Sequence, residues 1–265
     1  YTKMLIGSVP SLTPPNRPIP EVAETALEAK ALNKTYGRVG FFEKGRLVKA
    51  AQDVELILRQ GETLGVVGES GSGKSTVARC VVRLIDPTSG DINVVGANIA
   101  QMAESELRAY RQKIQIVFQD PYRSLNPRRT VGQSIVEGPM NFGLSGTEAQ
   151  SRAENLMCVV GLAPEALTRF PHQFSGGQRQ RICIARALAM EPRVLIADEA
   201  VSALDVSVQA QVLRLLQDVR ERYDLAMLFI THDLRVAAQI CDRIMVMQRG
   251  VVVEEGRTSE VYANP

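Results

Sequence analysis

Residues 68–75, Gly68-Glu-Ser-Gly-Ser-Gly-Lys74-Ser75, fit G-x-x-x-x-G-K-[ST] at every fixed position. Gly68, Gly71 and Gly73 free the backbone to fold into a nest whose N–H groups point inward at phosphate oxygens. Lys74 supplies a point charge between terminal phosphates, and the Ser75 hydroxyl is placed to ligate Mg²⁺. A helix starting there adds its positive N-terminal dipole. A flexible glycine loop would share the composition. The strand-like run before the motif and the helical pattern after it are the context that phosphate binding demands, so ATP or GTP is the expected ligand.

A second pair of residues supplies the reactive end. Val194-Leu-Ile-Ala-Asp198-Glu199 reads as a buried strand running out into two carboxylates. Asp198 could hold Mg²⁺ through its water shell, as phosphoryl transfer requires. Glu199 would then orient and deprotonate the attacking water. An apolar run ending in Asp-Glu is common by itself, and gains meaning only behind a phosphate loop. In Phe174-Ser-Gly-Gly-Gln-Arg-Gln-Arg181, Ser175 followed three residues later by Gln178 is a capping box that starts a helix over 177–190. Gly176 and Gly177 directly behind the cap bare that helix end for close approach by an anion.

These residues need a scaffold. Residues 53–58 and 62–67 read as strands, 75–85 as a helix with Val77, Val81, Leu84 and Ile85 on one face, and 113–119 as a strand. Residues 133–172 follow a mostly polar helical pattern, and 194–197 form a short buried strand. Val208, Val212, Leu215, Leu216 and Val219 then mark one helix face. Residues 226–231, 243–248 and 251–255 are further strands. The alternation predicts α/β architecture, a parallel core with an antiparallel accessory sheet.

Bulk properties narrow the partners. The 265 residues are 45% hydrophobic and 23% charged, with a net charge of +2. That balance offers no electrostatic reason to expect nucleic acid. The four cysteines form no CxxC pair, which disfavours a disulfide framework or zinc site. The longest apolar run, 225–230, is far short of the ~20 residues that span a bilayer.

The order of motifs resembles that of ATP-binding cassette (ABC) proteins over about residues 29–265. FSGGQRQR, between the phosphate loop and the Asp-Glu strand, is similar to the family's signature motif. Gln119 matches the Q-loop, Ser202-Ala-Leu-Asp205 the D-loop, His232 the switch histidine, and Tyr36 the aromatic that stacks on adenine. The resemblance implies a P-loop NTPase domain with a parallel core sheet, an antiparallel β subdomain and a helical subdomain at about 120–190. It implies ATP and Mg²⁺ as ligands. Tyr36 and Gly68, Glu69, Ser70, Gly71, Ser72, Gly73, Lys74, Ser75 and Thr76 would bind ATP. Ser75, Gln119 and Asp198 would hold the metal, with Glu199, His232 and Gln119 at the reacting end. Two cassettes would sandwich two ATPs, each nucleotide also meeting Ser175, Gly176, Gly177 and Gln178 of the opposite cassette, and Asp205 would belong to the D-loop.

FQDPYRSLNPRRTVGQSIVEGP (118–139) and DEAVSALDVSVQAQVL look like the oligopeptide, dipeptide and glutathione import group, as does a basic insertion at 37–49. Phe174 stands where leucine is usual. The implied partners are integral-membrane permease subunits, a second cassette and, indirectly, a solute-binding protein, with no nucleic acid. The implied place is the cytoplasmic face of the bacterial inner membrane. A soluble ABC ATPase acting on ribosomes or DNA is the alternative; the short distance from loop to signature, without heptads, disfavours it. A cassette that binds but barely hydrolyses is a further one, disfavoured by Glu199 and His232. The chain opens on Tyr1 and places Pro10, Pro14, Pro15, Pro18 and Pro20 close together. In this group's pattern, residues 1–10 look like the tail of a preceding cassette and the stretch up to 28 like a linker, so a tandem protein is expected.

Overall fold

The computed structural model describes residues 12–14, 23–37 and 47–264. Strands β1 (Thr25–Tyr36) and β2 (Val48–Arg59) lead to β3 (Thr63–Val67), the phosphate loop and helix α1 (Lys74–Val81). β4 (Ser89–Val94), β5 (Ala97–Asn98) and α2 (Glu104–Lys113) precede β6 (Ile114–Val117). A helical stretch follows: α3 (Pro121–Ser124), α4 (Val131–Asn141), α5 (Gly146–Val159) and α6 (Gly176–Leu188), with short 3-10 turns at Pro164–Thr168 and Pro171–Gln173. β7 (Val194–Asp198), α7 (Val206–Tyr223), β8 (Ala226–Thr231), α8 (Leu234–Ile240), β9 (Arg243–Gln248), β10 (Val251–Arg257) and α9 (Thr258–Ala263) complete the order.

β10-β9-β3-β8-β7-β6 form one sheet, parallel except for the β9–β10 hairpin. β2-β1-β4-β5 form a separate antiparallel sheet. The parallel strands are buried on both faces because side chains alternate across a strand. Leu195 and Ala197 of β7, with Met227 and Phe229 of β8, face one core beneath α6, α7 and α8. Val194, Ile196, Ala226, Leu228 and Ile230 face a second core, closed by α1 and the antiparallel sheet. The parallel core, the antiparallel accessory sheet and the helical stretch between β6 and β7 are those expected.

Some boundaries differ. β1 begins at Thr25, inside the segment up to 28 expected to be linker, because Ala26 and Leu27 are already buried against the second core. The helix expected over 75–85 ends at Val81: Arg83 turns left-handed at φ 55, and the Leu84 and Ile85 amides both donate to the Arg79 carbonyl. Leu84, expected on the buried face, is exposed. Val208 is only partly buried, whereas Val212, Leu215, Leu216 and Val219 are core. The expected preceding tail (1–10), most of the linker and most of the 37–49 insertion lie outside the described residues.

Candidate nucleotide site

The site is assembled where parallel strands end. β3, β6, β7 and β8 run side by side, so the residues that follow them emerge along one edge of the sheet. Those residues are Gly68, Gln119, Glu199 and His232, with Asp198 as the last residue of β7. A crevice outside the carboxyl ends of parallel strands is where such sheets bind ligands.

The phosphate loop is held tightly enough to require glycine at two positions. Gly68 has φ 148, and a Cβ there would lie 2.2 Å from the Met247 carbonyl oxygen. Gly73 has φ 106, and its Cβ would lie 2.1 Å from the Ala50 carbonyl oxygen. The loop is therefore pressed between the end of β9 and β2. The Gly250 amide adds a clamp, donating to the Ser72 carbonyl at 2.8 Å. Lys74 crosses the loop, its Nζ donating to the Gly68 and Glu69 carbonyls at 2.8 Å each. Burial lowers the Lys74 pKa, opposed by the nearby Glu199 and Asp198 carboxylates.

At the end of β7, the Ser75 hydroxyl donates to Asp198 Oδ1 at 2.9 Å. Asp198 is buried, and desolvation raises its pKa, with the Ser75 hydrogen bond the largest opposing influence. Glu199 is a non-glycine residue in the left-handed region, φ 50, with its amide donating to the Ile230 carbonyl at 3.0 Å. Such a conformation costs roughly 1–3 kcal/mol, and survives where the surroundings impose it. Here it turns the half-buried Glu199 carboxylate so that Oε2 lies 3.4 Å from His232 Nδ1. His232 sits on the link between β8 and α8, where the Asp233 side chain caps α8 and the Asp233 amide donates to Thr231 Oγ1.

A cleft of about 580 Å³ gathers Ser70, Gly71, Gly73, Lys74, Ser75 and Thr76 with Gln119 and Glu199; Val48, Lys49, Ala50 and Arg249 complete its rim. Its donor set fits a polyphosphate: a loop of backbone amides, a buried ammonium and a helix N-terminus. A hydroxyl and one carboxylate oxygen beside it suit Mg²⁺, which takes few protein ligands and completes its shell with phosphate and water. His232 opens on a neighbouring cavity of about 970 Å³ that shares Ser70, Gln119 and Glu199 with the cleft and is also lined by Gly68 and Glu69.

Other expected residues lie elsewhere. Tyr36 does not line the phosphate cleft; it pairs with Val48 of the rim and carries Lys34 Nζ 5.2 Å from its ring centroid. Ser175 caps α6 as expected, its hydroxyl accepting from the Gln178 amide at 3.3 Å and its own amide donating to Gln178 Oε1 at 3.0 Å. Residues 175–178 are absent from the phosphate cleft, although Gly176 lines a groove of about 760 Å³ that Ser75 and Asp198 also line. The two glycines behind the cap have different reasons. A Cβ on Gly177 would meet Val208 Cγ1 at 2.2 Å, so that glycine lets α6 and α7 pack; a Cβ on Gly176 would meet nothing within 4 Å. Only Gly176 leaves the helix end open. Asp205 caps α7, accepting from the Val208 amide at 3.1 Å and the Ser207 hydroxyl at 2.7 Å, which lowers its pKa.

Ser202, expected only as the start of the D-loop stretch, is a connector. Gln119 Nε2 donates to Ser202 Oγ at 3.2 Å, and that hydroxyl donates to the Glu199 carbonyl at 2.9 Å. Its place in the Ser202-to-Asp205 stretch was the available signal. Arg249 had none, because the β9–β10 hairpin reaches the cleft only through tertiary packing.

The sequence profile of the ABC transporter family matches residues 51–202. The probable peptide ABC transporter ATP-binding protein y4tS of Sinorhizobium fredii is 50% identical over 247 residues, covering 92% of this chain and 70% of that protein. The oligopeptide transport ATP-binding protein AppF of Bacillus subtilis is 49% identical over 247 residues, 91% of this chain and 75% of that one. Among solved structures, the post-hydrolysis dimer of the ATP-binding cassette MJ0796, bound to ADP and Pi, superposes with a TM-score of 0.77 at 30% identity, covering 88% of this chain and 98% of that one. The motif order, the crevice at the strand ends and these likenesses agree: the chain belongs to the ABC transporter family, as an ATP-binding, ATP-hydrolysing cassette.

Proposed function

We propose that this cassette powers peptide import through membrane-embedded permease subunits, from the cytoplasmic face of a bacterial inner membrane. Similarity to peptide-import ATP-binding proteins at about half identity across nine-tenths of the chain supports the cargo class. Among the described residues no helix is long and apolar enough to cross a membrane, which agrees with a subunit seated on partners that do. A solute-binding protein would deliver the peptide to the permease from the other side.

One observation carries the chemical reading: Glu199, strained into the left-handed region, opens on the same cleft as Lys74 and Ser75 while lying 3.4 Å from His232. ATP would lie with its terminal phosphates in the loop, held by amides and Lys74. Mg²⁺ would be held by the Ser75 hydroxyl, by Asp198 through water and by Gln119, neutralising charge that builds on the phosphate oxygens. Glu199 would accept the proton of the attacking water, with His232 orienting the carboxylate and contacting the γ-phosphate. Since residues 175–178 lie outside the phosphate cleft, a second cassette would present its own capped helix end, with Gly176 open, to complete the γ-phosphate site. Tyr36 would close on the adenine from the β1–β2 side.

The test is Glu199→Gln. It should bind ATP with near-normal affinity, lose turnover by about 10²-fold or more, and accumulate an ATP-dependent dimer by light scattering. Hydrolysis at the wild-type rate would remove Glu199 as the base.

A further inference from the structure

Helix α6 does more than present Ser175. Along the side facing α3, three of its residues hold the segment that carries Gln119. Gln180 is fully buried and its Nε2 donates to the Phe118 carbonyl at 3.4 Å, one residue before Gln119. The Arg179 guanidinium lies over the Tyr122 ring, its Cζ 3.6 Å from the ring centroid. Arg186, two turns further along, donates to the Ser124 carbonyl.

The Arg179–Tyr122 contact has an unusual balance. Arg179 is only 5% exposed and Tyr122 is 65% exposed, so a buried cation reaches out to hold an aromatic that little else covers. The other end of Arg179 is anchored, with Nε donating to the Pro171 carbonyl at 2.7 Å and Nη2 to the His172 carbonyl at 3.4 Å. Arg179 Nη1 and Gln180 Oε1 are buried and have no hydrogen-bond partner among the described residues.

We propose that Tyr122 and Arg179 form a latch that makes the Gln119 segment move with helix α6, so that Gln119 is placed for hydrolysis only when the Ser175 end of that helix is engaged. Tyr122 and Arg179 are positioning residues acting through Gln119. The chain of contacts is continuous: Ser175 and Arg179 share a helix, Arg179 grips Tyr122, and Gln119 reaches Ser202 and through it the Glu199 carbonyl. Asp120 stiffens the intervening turn, accepting from the Tyr122 amide at 2.9 Å. A cation over an aromatic face suits such a latch, since the ring quadrupole attracts it.

The inference rests on the assignment of Gln119 and Glu199 to the reacting end, so Glu199→Gln is run beside the latch variants in the same assay, on the chain assembled with its permease and partner cassette. Tyr122→Ala should lower kcat by about fivefold with KM for ATP within about twofold, and without a change in melting temperature, since this ring is exposed. Tyr122→Phe should restore wild-type kcat, because it keeps the ring. Arg179→Met, which fills the site without the cation, should match Tyr122→Ala, and combining it with Tyr122→Ala should cost no more than either alone. A Tyr122→Ala enzyme at wild-type kcat, a Tyr122→Phe enzyme as slow as Tyr122→Ala, or a proportional rise in KM would each overturn the latch. Retained hydrolysis in Glu199→Gln would instead overturn the reading it rests on.

Discussion

Asp198 holds two duties that conflict. As a proposed cation ligand its carboxylate must be ionised, yet it is buried at the end of β7, where the Ser75 hydroxyl donates to it. Burial raises its pKa in the folded chain above the ordinary carboxylate value. The stability such a group offers is complete at pH below its ordinary unfolded value, and is lost as pH rises through the folded pKa. At neutral pH the ionised Asp198 therefore opposes folding of the nucleotide-free protein. Asp198→Asn should melt higher than the parent without nucleotide, on the order of a few degrees. The same variant should lose the Mg²⁺-dependent part of ATP binding. Differential scanning calorimetry with and without MgATP measures both, and a lower melting temperature in the apo variant would contradict the account. Residue types were legible here from spacing alone. The conflict was not, because it depends on burial between β6 and β8.

At the scale of elements, the two glycines that open α6 separate packing from ligand contact. Gly177→Ala would drive a methyl against Val208 of α7, where a Cβ would lie 2.2 Å from Cγ1. Overpacking of this kind costs about 1–3 kcal/mol, so denaturant midpoints should fall. Gly176→Ala places its methyl in open space at the first position of the helix, and should leave stability unchanged or raise it by about 0.4–1 kcal/mol. Its effect should appear instead in ATP-driven dimerisation and turnover, because that helix end is where the partner's nucleotide would arrive. Urea titration beside a phosphate-release assay distinguishes the two glycines. The capping box at Ser175 and Gln178 was readable locally, since a cap involves only neighbouring residues. The Gly177–Val208 approach was not, for it joins two helices distant in sequence.

For the whole molecule, a net charge of +2 gives no electrostatic reason to expect nucleic acid as a partner. Added duplex DNA or ribosomes should leave ATP turnover unchanged. Turnover in vesicles holding the permease subunits should rise when a peptide-loaded solute-binding protein is supplied. Stimulation by DNA with indifference to peptide would reverse the proposed function.

The sequence by itself determined the chemistry and much of the layout. Glycine spacing, a lysine before a serine, and carboxylates at the end of an apolar run are local patterns, and the alternation of buried strands with amphipathic helices follows from side-chain periodicity. Residues 226–231 and 243–248 were read to their ends because parallel strands buried on both faces leave long apolar runs. Tertiary structure decided what depends on approach between distant segments. It ended α1 at Val81, turned Leu84 outward, brought Gly250 and Arg249 of the β9–β10 hairpin onto the phosphate loop, and placed Ser202 between Gln119 and Glu199. It also laid the buried Arg179 against Tyr122. A pattern of residue types reports what each position favours. Which of them meet, and how tightly, is set by the register of the strands and the packing of helices over them.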